Sequence, residues 1–412
     1  MTGDATGFGL ANLPLGVARL LDGSTAVVTR LGSSAVVLAS LADGHLLPVP
    51  GLDPSVLSDG SLNRLLAAGR PVWSGVRRAV ADLARVDHPA VVKASVALGE
   101  VEMLAPVAVG DFVDFSASVH HATNVGRLLR PGADPLRPGW SRMPFGYSGR
   151  ASSFVASGTA VTRPYGQVPG PDGDPVVGPT AALDFEAEVG FVLAATTAPG
   201  DRLPTAAFPD AVAGVVLVND WSARDVQAHE SHPLGPFLAK SFATSVSPWL
   251  VTLDALDAHR VPGPPQEPPP AAYLAAPGHW AYDVRVEVEL RTEAMRAAGI
   301  PAAAVSRSSF ASMYWTGPQL LAHATVNGAA VRAGDVIGSG TVSGPDPGSQ
   351  GCLLELTEGG SRPLRLPDGT TRAWLEDGDT LVVRAWAGGG PRPLICLGEV
   401  AGTVAPARSL EV

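Results

Sequence analysis

From about residue 108 onward the chain runs in short apolar stretches joined by Gly and Pro turns. Examples are SSFVASGTAV, FEAEVGFVL, GVVLVND, YDVRVEVEL, DVIGSGTVSG and TLVVRAW. Several alternate apolar and polar residues, the period-two signature of half-buried strands. Residues 1–107 read differently. Apolar runs at Thr25–Thr29, Ser34–Leu41 and His45–Val49 are separated by Gly- and Asp-bearing turns. Helical spacing follows at Ser61–Ala68 and Gly75–Arg85. The pattern predicts a small β-rich N-terminal module (1–107) and a larger C-terminal unit (108–412). Helices in the second unit are few, with candidates at Ala223–Glu230 and Ser308–His323. The Pro-rich segment 261–273 fits neither a regular helix nor a central strand and reads as a surface excursion. No internal repeat is evident. The expected fold class is mostly β, mixed α+β.

Composition narrows the function. The chain has 412 residues, of which 46% are hydrophobic and 17% charged, which is globular. Net charge is −10 with no basic run, which argues against a nucleic-acid partner. A small anionic substrate stays open, because one pocket can be positive on a negative surface. Cys352 and Cys396 lie in apolar, strand-like stretches and are expected as buried thiols. Two cysteines make neither a disulfide framework nor a Cys-based zinc site. The N-terminal stretch has no signal-peptide pattern, and no uncharged apolar run approaches about 20 residues. A soluble, cytoplasmic protein is the expectation, with no membrane partner.

A few polar residues stand out against this background. Glu186 and Glu188 are two apart, so on a strand they share a face. Such a pair suits a hard divalent ion, Mg²⁺ or Ca²⁺, and is equally compatible with a solvated strand face. Asp220 ends the apolar run Gly214–Val218. It is placed either to face a cleft or to cap the following helix. Asp114 lies near a strand start with Asp111, where either fits a turn. His121 has the side-chain type best suited to base catalysis near neutral pH, though a lone histidine is more often a packing residue. If its segment is a strand, His120 points to the other face. Arg224 and Gln227 are three apart and share a helix face. Lys240 and Thr244 lie in a segment with few charges. A lysine there either packs its stem with its head in water or stabilises developing negative charge.

Taken together, these segments resemble the fumarylacetoacetase family over almost the whole chain. The likeness runs from ANLPLGVA (11–18) through DFSASVHHATNVG (114–126), MPFGYSGRASSFVASGTAVTRPYGQ (143–167) and LDFEAEVGF (183–191). It continues through VNDWSARDVQAHESHPLGPFLAKSFATSVSPW (218–249), residues 313–347 and LLELTEGG (353–360). The resemblance implies an N-terminal SH3-like barrel, a C-terminal β-roll domain and a homodimer. It implies Asp114, Glu186, Glu188 and Asp220 as divalent-metal ligands. His121 would activate water, oriented by Glu355. Arg224, Gln227 and Lys240 would stabilise an oxyanion, and Lys240 and Thr244 match a secondary cation site. Arg130, Tyr147, Gln227 and Thr341 match substrate contacts.

The chain departs from the family at two substrate-contact positions that are normally tyrosine, here Ser116 and Ser231. Three functions follow as expectations. One is hydrolysis of fumarylacetoacetate to fumarate and acetoacetate, a step in tyrosine and phenylalanine catabolism. The second is a sister enzyme for another 1,3-dicarbonyl or 2-oxo acid, acting as hydrolase, decarboxylase, isomerase or dehydratase. The third is a non-catalytic binding protein, disfavoured because every ligand position and the His–Glu pair are filled.

Overall fold

The nine residues Val212–Asp220 form a strand buried along its whole length. That explains its unbroken Val/Leu run: a strand covered on both faces has no polar side. It sits inside an eight-stranded sheet of the computed structural model, which describes residues 6–170 and 172–410. The first five residues of the N-terminal stretch lie outside the described set. The strands run in the order Gly146–Ser148, Phe112–Phe115, Val336–Gly338, Ala187–Leu193, Val212–Asp220, Thr244–Val246, Phe154–Ala156. Val251–Thr252 adds to the Val212–Asp220 strand off this path.

One face of this sheet buries Val189, Phe191, Val215 and Leu217 against Val286, Val383 and Ala385 of a second, five-stranded sheet. That sheet is built from Ala303–Ser309, Val284–Arg291, Thr380–Gly389, Arg392–Ala405 and Val161–Thr162. The opposite face buries Val192, Val216, Val218 and Val336 against the N-terminal segment. There a five-stranded antiparallel sheet (Leu15–Arg19, Thr25–Leu31, Ser34–Val37, Ser95–Ala97, Glu102–Met103) shares the chain with several helices. The longest helix, Arg70–Arg85, buries Val72, Trp73, Val76 and Val80 at helical spacing. Its Arg70 and Ser74 both bond Asp254, tying the N-terminal segment to the C-terminal part.

The fold class is as expected, mixed α+β and mostly sheet. Several local expectations are corrected. The run Ser34–Leu41 is a strand only to Val37; Leu38–Asp43 is a helix whose Leu38 and Leu41 are buried. His45–Val49 is not a strand. The helix expected over Ser308–His323 begins at Gly317 and runs to Thr325. The residues before it complete the strand Ala303–Ser309 and a short 3₁₀ turn. A capping box between Thr316 and Gln319 sets that start, with Pro318 in the first turn. The strand-like CLLEL is a four-residue helix, Leu353–Leu356, with Cys352 before it. Cys352 is buried, Cys396 only partly, and both are free thiols. No helix among the described residues is long and apolar enough to cross a membrane.

Candidate active site

The carboxylates come from three strands of the central sheet. Asp114 is on Phe112–Phe115, which pairs in parallel with Val336–Gly338 so that Asp114 lies opposite Gly338. A Cβ at Gly338 would meet Asp114 Oδ1 at 2.4 Å, so the glycine makes room for the carboxylate. Gly340, at φ +72°, donates its amide to Asp114 Oδ1 at 3.2 Å. Glu188 is the second residue of Ala187–Leu193, and Glu186 just precedes that strand. Asp220 ends Val212–Asp220 opposite Thr244. One oxygen from each of Asp114, Glu186, Glu188 and Asp220 lies within 4.8 Å of the others, and all four residues are buried. Asp220 is no helix cap: the helix Arg224–Glu230 starts after Ala223 without a side-chain cap.

Two cations answer this charge. Lys240 Nζ lies 2.5 Å from Glu186 Oε2 and 2.7 Å from Asp220 Oδ2. Arg224 Nη2 lies 2.8 Å from Glu186 Oε1, an ion pair outside hydrogen-bond alignment. Its Nε donates to Asp184 at 2.8 Å and its Nη1 to Gln227 Oε1 at 2.9 Å. Tyr147 OH and Thr244 Oγ1 donate to the two oxygens of Asp220 at 2.8 and 3.2 Å. Burial opposes ionisation of Glu186, but Lys240 and Arg224 override it and hold the group below its ordinary value. Asp114 is pushed up to about 7 by burial and by Asp220. Burial, with Asp114 and Asp220 adding to it, raises Glu188 well above the usual carboxylate range.

Glu188 is the diagnostic residue. Both its oxygens are buried and, when ionised, find no donor; protonated, it can bond Asp114. An orphaned buried carboxylate beside three others is costly unless a cation completes it. The donor set is all oxygen, which suits a hard divalent ion rather than a thiophilic one. The four carboxylates therefore fit a divalent-metal site.

His121 lies beside this cluster, on the helix Val119–Leu129 rather than on a strand. The alternation expected between His120 and His121 gives way to a helical turn. Ser118 caps that helix by accepting from His121 N at 3.2 Å. His121 Nδ1 lies 2.7 Å from Glu355 Oε2. Glu355 also accepts from Asn124 at 2.9 Å, Ser343 at 2.7 Å and the Cys352 thiol at 3.2 Å. Burial works against imidazolium, but Glu355 more than offsets it, so the His121 pKa is raised. Burial likewise works against ionised Glu355, yet its pKa is lowered, chiefly by His121.

Of the expected substrate contacts, Tyr147 and Gln227 reach this network directly. Thr341 is buried with its hydroxyl unpartnered among the described residues. Ser116 is half-buried, and its Cα would lie 3.2 Å from a Cβ on Gly340. Ser231 caps the Arg224 helix at its C-terminus, its hydroxyl also unpartnered. Arg130 stands apart, its guanidinium donating to Pro135 O at 2.5 Å. Sequence reasoning missed Asp184, Asn124 and Ser343. Asp184 was legible, since it extends the period-two series of Glu186 and Glu188 by one step.

The fold sets four buried carboxylates beside a His–carboxylate pair, a donor set and a base suited to metal-assisted hydrolysis. The chain belongs to the fumarylacetoacetase family. The fumarylacetoacetate (FAA) hydrolase C-terminal model matches residues 112–405, and the fumarylacetoacetase N-terminal model matches residues 11–106. A fumarylacetoacetase of Arabidopsis thaliana is 42% identical over 391 residues, covering 92% of this chain and 91% of that protein. The Homo sapiens fumarylacetoacetase is 38% identical over 410 residues, covering 97% and 96%. A solved fumarylacetoacetate hydrolase from Exiguobacterium antarcticum shares the fold at TM-score 0.53 and 16% identity, covering 96% of this chain and all of that one.

Proposed function

We propose that this protein hydrolyses fumarylacetoacetate to fumarate and acetoacetate, with His121 as the base that activates water. The observation that carries the reading is the His121–Glu355 pair set beside the four-carboxylate cluster. Identity of about 40% to proteins named fumarylacetoacetase supports the choice of substrate.

A carboxylate on Nδ1 favours the tautomer that keeps its proton there and leaves Nε2 as the base. His121 takes a proton from water as the water oxygen adds to the carbonyl on the fumaryl side. Arg224, Gln227 and Lys240 supply N–H donors for the oxyanion, an effect of about 3 kcal/mol per donor in comparable sites. Collapse breaks the carbon–carbon bond, and the electron pair leaves on the acetoacetate carbon as an enolate. His121 returns its proton there, which balances the reaction. Asp114, Glu186, Glu188 and Asp220 would hold Mg²⁺ or Ca²⁺, which supplies Lewis-acid polarisation of a 1,3-dicarbonyl when bound. Lys240 acts as a counter-cation, because an ammonium has donors and no lone pair for a metal. Thr244 steadies Asp220.

Tyr147, Arg130, Thr341, Ser116 and Ser231 are assigned to the substrate pocket. The same reading places the boundary between the two parts at residue 107, and makes the protein a cytoplasmic homodimer. Purified protein with Mg²⁺ or Ca²⁺ should consume fumarylacetoacetate and release equal amounts of fumarate and acetoacetate. Metal binding without turnover would reject this substrate.

A further inference from the structure

Asp184 takes no part in the chemistry above, yet it is fully buried at the centre of the site. Its Oδ1 accepts from Leu353 N at 2.7 Å and Phe185 N at 2.8 Å. Its Oδ2 accepts from Leu354 N at 2.9 Å and Arg224 Nε at 2.8 Å. Leu353 and Leu354 open the four-residue helix that carries Glu355, and Cys352 gives that helix no side-chain cap. The first amides of a helix need acceptors from elsewhere. Here the acceptor is a carboxylate 169 residues away. The same carboxylate fixes the guanidinium of Arg224, whose other arms meet Glu186 and Gln227.

We infer that Asp184 is a positioning residue that locks the two halves of the site to each other. One half is Arg224 on the carboxylate cluster; the other is Glu355 behind His121. The inference rests on the catalytic roles proposed above for Arg224, Glu355 and His121. An asparagine at 184 could not do this. Both oxygens face N–H donors, so its amide nitrogen would meet a donor whichever way it turned. A buried donor facing a donor displaces its neighbours, and small misplacements of catalytic groups are costly.

The test uses metal-loaded, full-length protein. Asp184→Asn should lower kcat by about 10²-fold with a smaller change in KM. It should cost less on an Arg224→Met background and less on a Glu355→Gln background than in the wild type. Equal cost in either background would overturn the inference, because Asp184 would then not act through that half. Arg224→Lys keeps the charge but cannot reach Asp184 and Glu186 at once with the guanidinium fork. It should move the NMR resonance of the His121 Nδ1 proton, although Arg224 bonds neither His121 nor Glu355. An unmoved resonance would also overturn the inference. This arm needs no turnover and no Asp184 variant that must fold. A shifted resonance in Arg224→Lys, together with a wild type that leaves fumarylacetoacetate intact, would reject the proposed substrate alone.

Discussion

Glu188 should make the metal-free protein less stable and the metal-bound protein more so. The perturbation is Glu188→Gln. In the wild type, two buried oxygens lack donors and face Asp114, Asp220 and Glu186. A glutamine cannot ionise, so it neither strands a charge there nor has to take up a proton, and it offers an N–H₂ group to those neighbours. An unsatisfied buried group costs about 1–3 kcal/mol, so the metal-free variant should gain about that much. Unfolding entropy of about 2.1 cal/mol/K per residue gives roughly 0.9 kcal/mol/K for this chain length. The gain is then a rise in Tm of roughly 1–3 °C. Divalent ion at a hundred times its Kd should add about 2.7 kcal/mol to the wild type, near 3 °C. If the variant binds a hundredfold more weakly, the same ion concentration leaves about 0.4 kcal/mol, under 1 °C. The assay is thermal unfolding of both proteins with EDTA and with Mg²⁺ or Ca²⁺ at one pH. A metal-free variant that melts below the metal-free wild type would refute the reasoning. So would a full metal shift retained in the variant.

Other outcomes follow from the same geometry. His121→Ala should cut kcat by about 10²–10⁴-fold and leave calorimetric metal binding nearly intact; surviving activity would mean that another group is the base. Gly340→Ala should destabilise the protein by at least about 2 kcal/mol, read by denaturant melts, because φ is +72° and the new Cβ would lie 1.8 Å from Phe115 O. Asp254→Asn should cost about 1–3 kcal/mol near pH 7, since the carboxylate bonds Arg70 and Ser74. The Asp254 pKa is lowered: burial pushes it up, but Ser74 and Arg70 outweigh that. A depressed carboxylate stabilises fully above its unfolded value of 3.8 and loses this as pH falls through its folded value. The gap between wild type and variant should therefore close in melts below about pH 3.8; a gap that widened there would contradict this assignment.

Strand positions were largely legible because these strands are buried either along their whole length or on one face only. GVVLVND, YDVRVEVEL and TLVVRAW all became strands, since their Val-rich or alternating patterns leave no helical face. The short elements were not. LLEL looks like strand, but four residues cannot reveal a period, and its amides are satisfied by Asp184 from far along the chain. The helix at Gly317 was read nine residues early because Phe310, Met313 and Tyr314 extend its apolar pattern backwards. Only the Thr316–Gln319 cap shows where it starts. For the site, spacing alone paired Glu186 with Glu188. It could not join them to Asp114, Asp220 or His121, whose proximity depends on strand order. Asn124 and Ser343 carried no signal, because their bonds to Glu355 close only in the folded chain.

The pairing that sets Asp114 beside Gly338 also bears on how the molecule folds. Asp114 meets Gly340 across 226 residues, and His121 meets Glu355 across 234. Contacts of such separation form late, after much of the chain has lost its freedom. The contacts that hold Asp114 and His121 in their places at the site are thus expected among the last to close. Refolding protein should recover strand circular dichroism before it gains divalent-ion affinity. Ion uptake in a stopped-flow experiment then serves as a clock for the final step, when the distant ends of the C-terminal part join.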